Sequence, residues 1–167
     1  MAIEFANGTS LSNAMVSSWR IHTGFTGNQN PINVNWERAD NILTGANATG
    51  NVLTESSGVF SFVSTGWYVV TWEHYYQGSV DSVWIEMNMS LSQNSGSNWS
   101  SISYTQGFTL SGNTRYGIAS KTQSFRISDT STDKMRFGVN LNNTAVATAG
   151  SNGQQFTGFT IAKVADV

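Results

Sequence analysis

Few residues of this chain have the type and spacing that catalysis would need. Glu73 and His74 are the one adjacent carboxylate and imidazole in the sequence. Aromatic and β-branched residues surround them and predict a β-strand, in which neighbouring side chains point to opposite faces. The two groups therefore cannot share one site, and we expect His74 to pack beside Trp72 and Tyr76 in the protein interior.

Metal binding has equally little support. Asp129, Ser131 and Asp133 have the first three spacings of a calcium-binding loop, but Lys134 stands where that loop requires glycine and no glutamate follows at its twelfth position. We expect a solvated turn there. His22 has no Asp, Glu or Cys near it in the sequence and cannot anchor a metal by itself. We expect neither a metal nor a cofactor.

The sequence contains no motif that predicts an enzyme. A Gly-x-Ser-x-Gly elbow, a phosphate-binding loop and a catalytic carboxylate pair are all absent. We therefore expect a protein that binds or assembles and does not catalyse. Two loop residues, Trp99 and Asn142, are candidates for contact with a ligand, since aromatic and amide side chains can contact sugars. The alternative for Trp99 is that it covers a strand end.

Composition excludes several classes of protein. The chain has 8 Lys and Arg residues against 10 Asp and Glu, without a basic patch, so a nucleic-acid partner has no support. No window approaches the roughly 18 apolar residues of a membrane span. Cysteine is absent and charged residues make up only 11%, below the roughly 25% of an average domain. We expect neither a nucleic acid nor a membrane as partner.

The elements that would position these residues are β-strands. The stretch Gly58–Gly78 holds two apolar runs, Val59–Val63 and Trp67–Tyr76, which the sequence pattern predicts to form a β-hairpin. The second run is apolar on both alternating faces, which is typical of a strand covered on both sides. One cover is the protein's own core, and the other must be a second layer or a second subunit.

Other segments alternate in the same way and predict an all-β chain of about ten strands. In Ser82–Gln93, five apolar residues share one face. In Arg115–Ser128 the alternating apolar residues occupy even positions in the first half and odd positions in the second half. This change of face predicts a β-bulge or two joined pieces. We expect residues 1–30 to form an N-terminal arm and a first strand, with a loosely ordered arm over residues 1–17. We expect residues 31–167 to form one domain.

Three motifs resemble the jelly roll of tumour necrosis factor and of complement globular heads. Gly66-Trp67-Tyr68-Val69-Val70 is similar to the family's Gly-x-Tyr-x-Phe strand, with Val70 in place of the usual phenylalanine. The segment TQSFRISDTSTDKMRFGV resembles a family strand that leads through an acidic turn into another strand. Phe156-Thr157-Gly158-Phe159 resembles the signature of the final strand. The resemblance covers roughly residues 30–164.

This resemblance implies a two-sheet antiparallel jelly-roll sandwich that assembles as a homotrimer through its inner sheet. The residues we expect at the trimer interface are Trp67, Val69 and Tyr75 of the central strand and Phe159 and Ile161 of the last strand. No collagen-like stalk and no cysteine accompany the domain. A short, Asn-rich chain of this kind looks more like the versions of the fold in bacteriophage particles than like a secreted ligand.

We therefore expect a structural protein of the virion, a trimeric capsid decoration protein that lies on the capsid surface and contacts the major capsid protein. The alternative is a receptor-binding head of a tail or head fibre that recognises a host surface glycan. A fibre head would normally follow a repetitive stalk in the same chain, and none is present. This absence favours decoration over the fibre head.

Overall fold

The structure is a computed structural model of the 167-residue chain, and it describes residues 3–4, 10–11, 15–39 and 52–167. Most of the arm expected over residues 1–17 therefore lies outside the described residues, as does the segment 40–51. Two short strands of the N-terminal part are described, and they pair with each other.

The described residues form fourteen β-strands and no helix. In chain order the strands are β1 (Ile3–Glu4), β2 (Ser10–Leu11), β3 (Met15–Ile21), β4 (Phe25–Thr26), β5 (Trp36–Arg38), β6 (Leu53–Ser56), β7 (Val59–Phe62), β8 (Gly66–Gly78), β9 (Ser82–Ser92), β10 (Ser100–Thr109), β11 (Arg115–Ile127), β12 (Lys134–Leu141), β13 (Ala147–Thr148) and β14 (Gly158–Ala165).

Two antiparallel sheets make the body of the protein. The five-stranded sheet has the order β10-β9-β12-β7-β6. The seven-stranded sheet centres on β8, which pairs with β11 along its whole length on one edge and with β14 and then β13 on the other. Strands β3 and β5 continue the sheet beyond β14, and β4 flanks β13. The expected two-sheet jelly roll is confirmed, and the short β4 and β13 add to its ten strands.

Alternation of side chains along the long strands builds the core between the sheets. Tyr68, Val70 and Trp72 of β8 point inward and have no exposed surface. Ile85 and Met87 of β9 face them from the other sheet, as the period-2 pattern of that segment predicts. The apolar alternation of β9 therefore identified the residues that meet the core from Ile85 to Met89, although Val83 at the start of the strand is 76% exposed.

The predicted hairpin between the two runs of Gly58–Gly78 is wrong. Strand β7 pairs with β6 and β12 in the five-stranded sheet, whereas β8 belongs to the seven-stranded sheet. The tight hairpin is instead β6–β7, whose turn residues Ser57 and Gly58 have φ of 51° and 79°. Positive φ at both central residues is the geometry of a two-residue hairpin turn. The link from β7 to β8 crosses from one sheet to the other.

The predicted bulge in Arg115–Ser128 is also wrong. Strand β11 pairs with β8 in unbroken register from Arg115 to Ile127. Its apolar parity changes because Tyr116 and Ile118 point away from the core, whereas Phe125 and Ile127 point into it. One regular strand therefore contributes apolar residues to both faces of the sheet.

A tyrosine closes the sandwich where the edges of the two sheets meet. Strand β10 is the edge of the five-stranded sheet and lies beside β11, the edge of the other. Tyr76 is inserted beneath both, so that a Cβ added at Gly107 would lie 2.1 Å from its hydroxyl and one at Gly117 would lie 2.4 Å from its Cζ. Glycine at these two positions leaves the space that the Tyr76 ring occupies.

Candidate functional site

The outer face of the seven-stranded sheet, the face turned away from the core, carries large apolar side chains. On β8 this face contains Trp67, Val69 and Tyr75. Trp67 is 46% exposed, and the other two are half-buried. The prediction that β8 is apolar on both faces is therefore confirmed, because Tyr68 and Val70 between them are fully buried.

Strand β11 extends the apolar character of this outer face. Tyr116 and Ile118 lie opposite Gln77 and Tyr75 and are 63% and 61% exposed. Sequence reasoning missed both residues as members of the face, because the change of parity in this segment was interpreted as a bulge. The change of face in the sequence could have identified these residues. A regular strand with apolar residues on both faces must turn one of those faces away from the core.

At one end of the outer face the aromatic side chains form a cluster. The ring of Tyr75 stacks on Phe156 with centroids 5.0 Å apart and an angle of 20° between the planes. Tyr116 lies 6.2 Å from Tyr75 at 45°. With Phe25 these rings line a groove of about 530 Å³, which we name the aromatic groove. Its lining combines these rings with polar groups, which include Gln77 of β8 and the side chains and backbone of the short strands β4 and β13.

A polar belt crosses the middle of the outer face. Thr71 of β8 and Thr122 of β11 share a hydrogen bond of 2.9 Å between their hydroxyls. Ser18 of β3 and Thr160 of β14 share one of 2.8 Å. These hydroxyls satisfy each other within the subunit, so burial of the belt against another surface would leave few of them without a partner. The belt itself can therefore be covered at low cost in desolvation.

The assignment of Phe159 and Ile161 to a trimer contact is wrong. Both side chains are fully buried in the core of the subunit and offer no surface to another chain. In the register of β14 they lie opposite Trp72 and Val70, on the inner face of the sheet. The rings of Phe159 and Phe60 are 4.9 Å apart, a contact across the core between the two sheets. Residues of the other parity in β14 form the outer face.

Trp99 and Asn142 do not form one ligand site. The ring of Trp99 is half-buried and lies under the guanidinium of Arg136, whose Cζ is 4.3 Å from the ring centroid. The Oδ1 atom of Asn142 accepts a hydrogen bond of 3.2 Å from the backbone of Val83. Arg136 lies in β12, and Asn142 follows the end of that strand six residues later. At about 3.3 Å per residue, the two positions are about 20 Å apart. The structure therefore favours the alternative for Trp99, in which it covers the sheet.

The predicted separation of Glu73 and His74 is confirmed. His74 points into the core with no exposed surface, whereas Glu73 is half-buried on the outer face. The Nε2 atom of His74 lies 3.0 Å from the hydroxyl of Thr148, and the Tyr76 ring is 5.5 Å away. Burial lowers the pKa of His74 to about 4, because the interior disfavours the charged imidazolium. A base this weak and enclosed suits a structural role.

The acidic turn at Asp129–Asp133 uses its carboxylates internally. Asp133 accepts hydrogen bonds from the backbone of Ser128 and Asp129 at 2.8 and 3.1 Å. Asp129 accepts from the backbone and hydroxyl of Ser131 at 2.8 and 2.6 Å, and these bonds lower the pKa of its carboxyl. Within the described ranges, no group of three or more His, Asp or Glu side chains is placed to hold a metal ion.

The sequence pattern did not indicate an ion pair at the edge of the seven-stranded sheet. Arg20 of β3 is 1% exposed and donates from Nε to the carboxylate of Glu37 in β5 at 2.6 Å. These residues are directly paired in the two strands.

None of the described segments forms a helix able to cross a membrane.

No protein-family model matches the chain, and no curated protein is similar to it in sequence. Solved structures do share its fold. Murine APRIL at pH 5.0 is 10% identical, with a TM-score of 0.66 over 90% of this chain and 99% of that one. Eiger TNF from S. frugiperda is 15% identical, with a TM-score of 0.68 over 93% of this chain and 95% of that one. The fold is therefore the TNF-like jelly roll, as the three sequence motifs predicted.

Proposed function

We propose that this chain is a non-enzymatic structural protein of a virus particle, a homotrimeric decoration protein on the head of a tailed bacteriophage. In this role three copies associate through the outer face of the seven-stranded sheet. The trimer then lies on the capsid surface and bridges neighbouring copies of the major capsid protein. The added contacts strengthen the shell.

The observation that carries the self-association is the outer face of the seven-stranded sheet. Trp67, Tyr116 and Ile118 are between 46% and 63% exposed on one surface. Large exposed apolar patches of this kind mark interaction sites in soluble proteins. We favour a second copy as the occupant because the aromatic cluster and the self-paired hydroxyl belt can both be buried. The charged residues that β8 and β11 place on this face, Glu73 and Arg126, are opposite in sign. The threefold number follows from the resemblance to the TNF-like family.

The low content of charged residues supports a permanent assembly. Only 11% of the chain is charged, so few ions lose water when surfaces of this protein are buried. Desolvated charges are costly unless they are well paired, and obligate interfaces are accordingly apolar. A decoration protein that stays on its particle requires an interface of this type.

The first test is the solution mass of the purified protein and of one variant, measured by light scattering. We expect the wild type to have three times the chain mass of 18.1 kDa. Ile118→Lys should dissociate the assembly to the monomer mass, because a buried lysine without a partner opposes burial by several kcal/mol. The matched control is Tyr104→Lys, which changes a 52% exposed residue on β10 of the other sheet. A monomeric wild type would refute the assembly.

The virion assignment is tested by immunogold labelling of particles produced from the genome that encodes the chain. Labels spread over the heads would support the decoration role. Labels confined to tail tips or fibres would contradict it and favour the receptor-binding alternative. Particles without label, in a preparation whose lysate contains the protein, would refute any role in the virion.

A further inference from the structure

A polar cleft of about 410 Å³ opens at one end of the sandwich, where the edges of the two sheets come together. One wall is the loop between β9 and β10, residues 93–99, with the adjoining ends of both strands. The other wall is the end of β11 and the turn that leads into β12. A cavity of this volume is in the range of small-molecule sites, about 300–1,000 Å³. We name it the edge cleft.

The loop that forms the first wall is held in one conformation by its own hydrogen bonds. The hydroxyl of Ser92 donates to Oδ1 of Asn94 at 2.8 Å and accepts from the backbone of Gly96 at 2.9 Å. The same Asn94 oxygen accepts from the backbone of Asn98 at 2.8 Å. The backbone of Ser95 then donates to the carbonyl of Thr132 at 2.9 Å, which ties the loop to the opposite wall. A preformed wall lowers the entropy cost of binding a ligand.

The cleft combines free polar groups with an apolar floor. In the part of the chain that the structure describes, no hydrogen bond involves the side chains of Gln93, Asn98 or Ser100, which all line the cleft. Ser100 pairs with Leu91 across the strands and so shares its face of the sheet. Leu91 and Ile102 are half-buried and supply apolar surface beside these amide and hydroxyl groups.

The cleft presents no cluster of charges to a ligand. The carboxylate of Asp133 is buried and bonded to the backbone of its own turn. Arg126 borders the cleft, but it lies opposite Trp67 in the β8–β11 register and therefore on the outer face of the sheet. Phosphate and carboxylate ligands are recognised by clustered cations, which this cleft does not have. A neutral ligand with many hydroxyl groups fits it better.

We propose that the edge cleft binds a neutral saccharide of one or two rings. Amide side chains offer a donor and an acceptor on adjacent atoms, which suits neighbouring sugar hydroxyls, and the floor suits the CH groups of a sugar ring. This inference goes beyond the decoration role and does not depend on it. It also separates sugar binding from Trp99 and Asn142, which do not line the cleft.

The test is calorimetric titration of the full chain with four probes: glucose, galactose, N-acetylglucosamine and galacturonic acid. We expect at least one neutral sugar to bind, and the double variant Asn98→Ala, Ser100→Ala to weaken it about tenfold or more, as the loss of two neutral hydrogen bonds predicts. Both residues are exposed, so the fold should tolerate the changes. Asn142→Ala is the matched control and should bind like the wild type.

Three results would overturn the proposal. The first is that none of the three neutral sugars binds to a folded wild-type protein. The second is that a neutral sugar binds but the double variant retains full affinity. In that case Tyr75→Ala would show whether the sugar occupies the aromatic groove instead. The third is tighter binding of galacturonic acid than of galactose, because the proposed cleft has no cluster of cations to favour a carboxylate.

Discussion

Gly158→Ala should destabilise the protein strongly, although it adds only one methyl group. A Cβ at this position would lie 2.2 Å from the backbone oxygen of Trp19, in the neighbouring strand β3. Backbone in the middle of a sheet cannot move aside as the end of a flexible side chain can. We expect the free energy of unfolding to fall by about 3 kcal/mol, near the upper end of the usual effects of overpacking.

The matched control for this change is Gly153→Ala, five positions earlier in the chain. A Cβ there would meet no atom within 4 Å, so we expect a change within about 0.5 kcal/mol. Both variants would be unfolded in urea at one protein concentration, since association makes stability depend on concentration. If Gly158→Ala lowered the free energy of unfolding by less than about 1 kcal/mol, the prediction would be contradicted, and β3 and β14 would be less closely packed at this residue than in the structure.

The contact at Gly158 explains one of the sequence motifs in physical terms. This glycine is the third residue of the segment Phe156-Thr157-Gly158-Phe159, which identified the final strand as similar to a family signature. Its backbone is extended, and the reason for glycine is the close approach of the adjacent strand. The motif therefore marks a point where β3 and β14 approach too closely for a side chain at this position.

Acidification should destabilise the protein through His74, and this is the second large effect we expect. The pKa of His74 is lowered to about 4 in the folded state, while an unfolded histidine titrates near 6.5. Between these two values the unfolded chain binds a proton that the folded chain does not, so stability falls as the pH falls. The loss amounts to about 3 kcal/mol, starts near pH 6.5 and is complete below about pH 4.

The neighbours of His74 do not compensate for this effect. Its ring contacts the Thr148 hydroxyl and the Tyr76 ring, neither of which carries a charge in this pH range. Urea unfolding at a series of pH values would measure the loss. His74→Gln should remove most of the dependence between pH 6.5 and 4, while His22→Gln, on the other histidine, should retain it. Equal pH profiles for the wild type and His74→Gln would contradict the prediction.

A separate acid effect belongs to Asp129 and can be distinguished by its pH range. Hydrogen bonds from Ser131 lower the pKa of this exposed carboxyl below its usual 3.8. The stability it contributes is present above that value and is lost only as the pH falls through the lowered pKa. His74 therefore accounts for the higher range and the Asp129 turn for the lower one.

Alternation of residue types was enough to determine much of the architecture. The pattern of Ser82–Gln93 identified β9 and its buried face, and the composition indicated an all-β chain. The opposite orientations of Glu73 and His74 followed from strand geometry alone. The order of three short motifs predicted the TNF-like jelly roll. The strand assignments succeeded because they depend on the period of side chains along one strand, which is a local property, whereas the jelly roll was implied by the resemblance of the motifs.

Only the tertiary structure decided which strands pair and which face of each strand is covered. The runs β7 and β8 are separated by three residues, yet they lie in different sheets, because pairing depends on partners far away in the sequence. Strand β8 is apolar on both faces, so its sequence could not assign one of them to the core. In β14 the two large aromatic and aliphatic residues, Phe159 and Ile161, share one parity, but the sequence pattern did not decide whether that face meets the core or another subunit.

The edge cleft and the position of Trp99 depended even more on the tertiary structure. Arg136 of β12 covers the ring of Trp99, which lies in the loop before β10. The walls of the edge cleft come from the β9–β10 loop and from β11, which belong to different sheets. The sequence determined the strands and their periodicity, because these reflect interactions between near neighbours. Surfaces and clefts form only when distant segments meet, and their geometry is set by the packing of the two sheets.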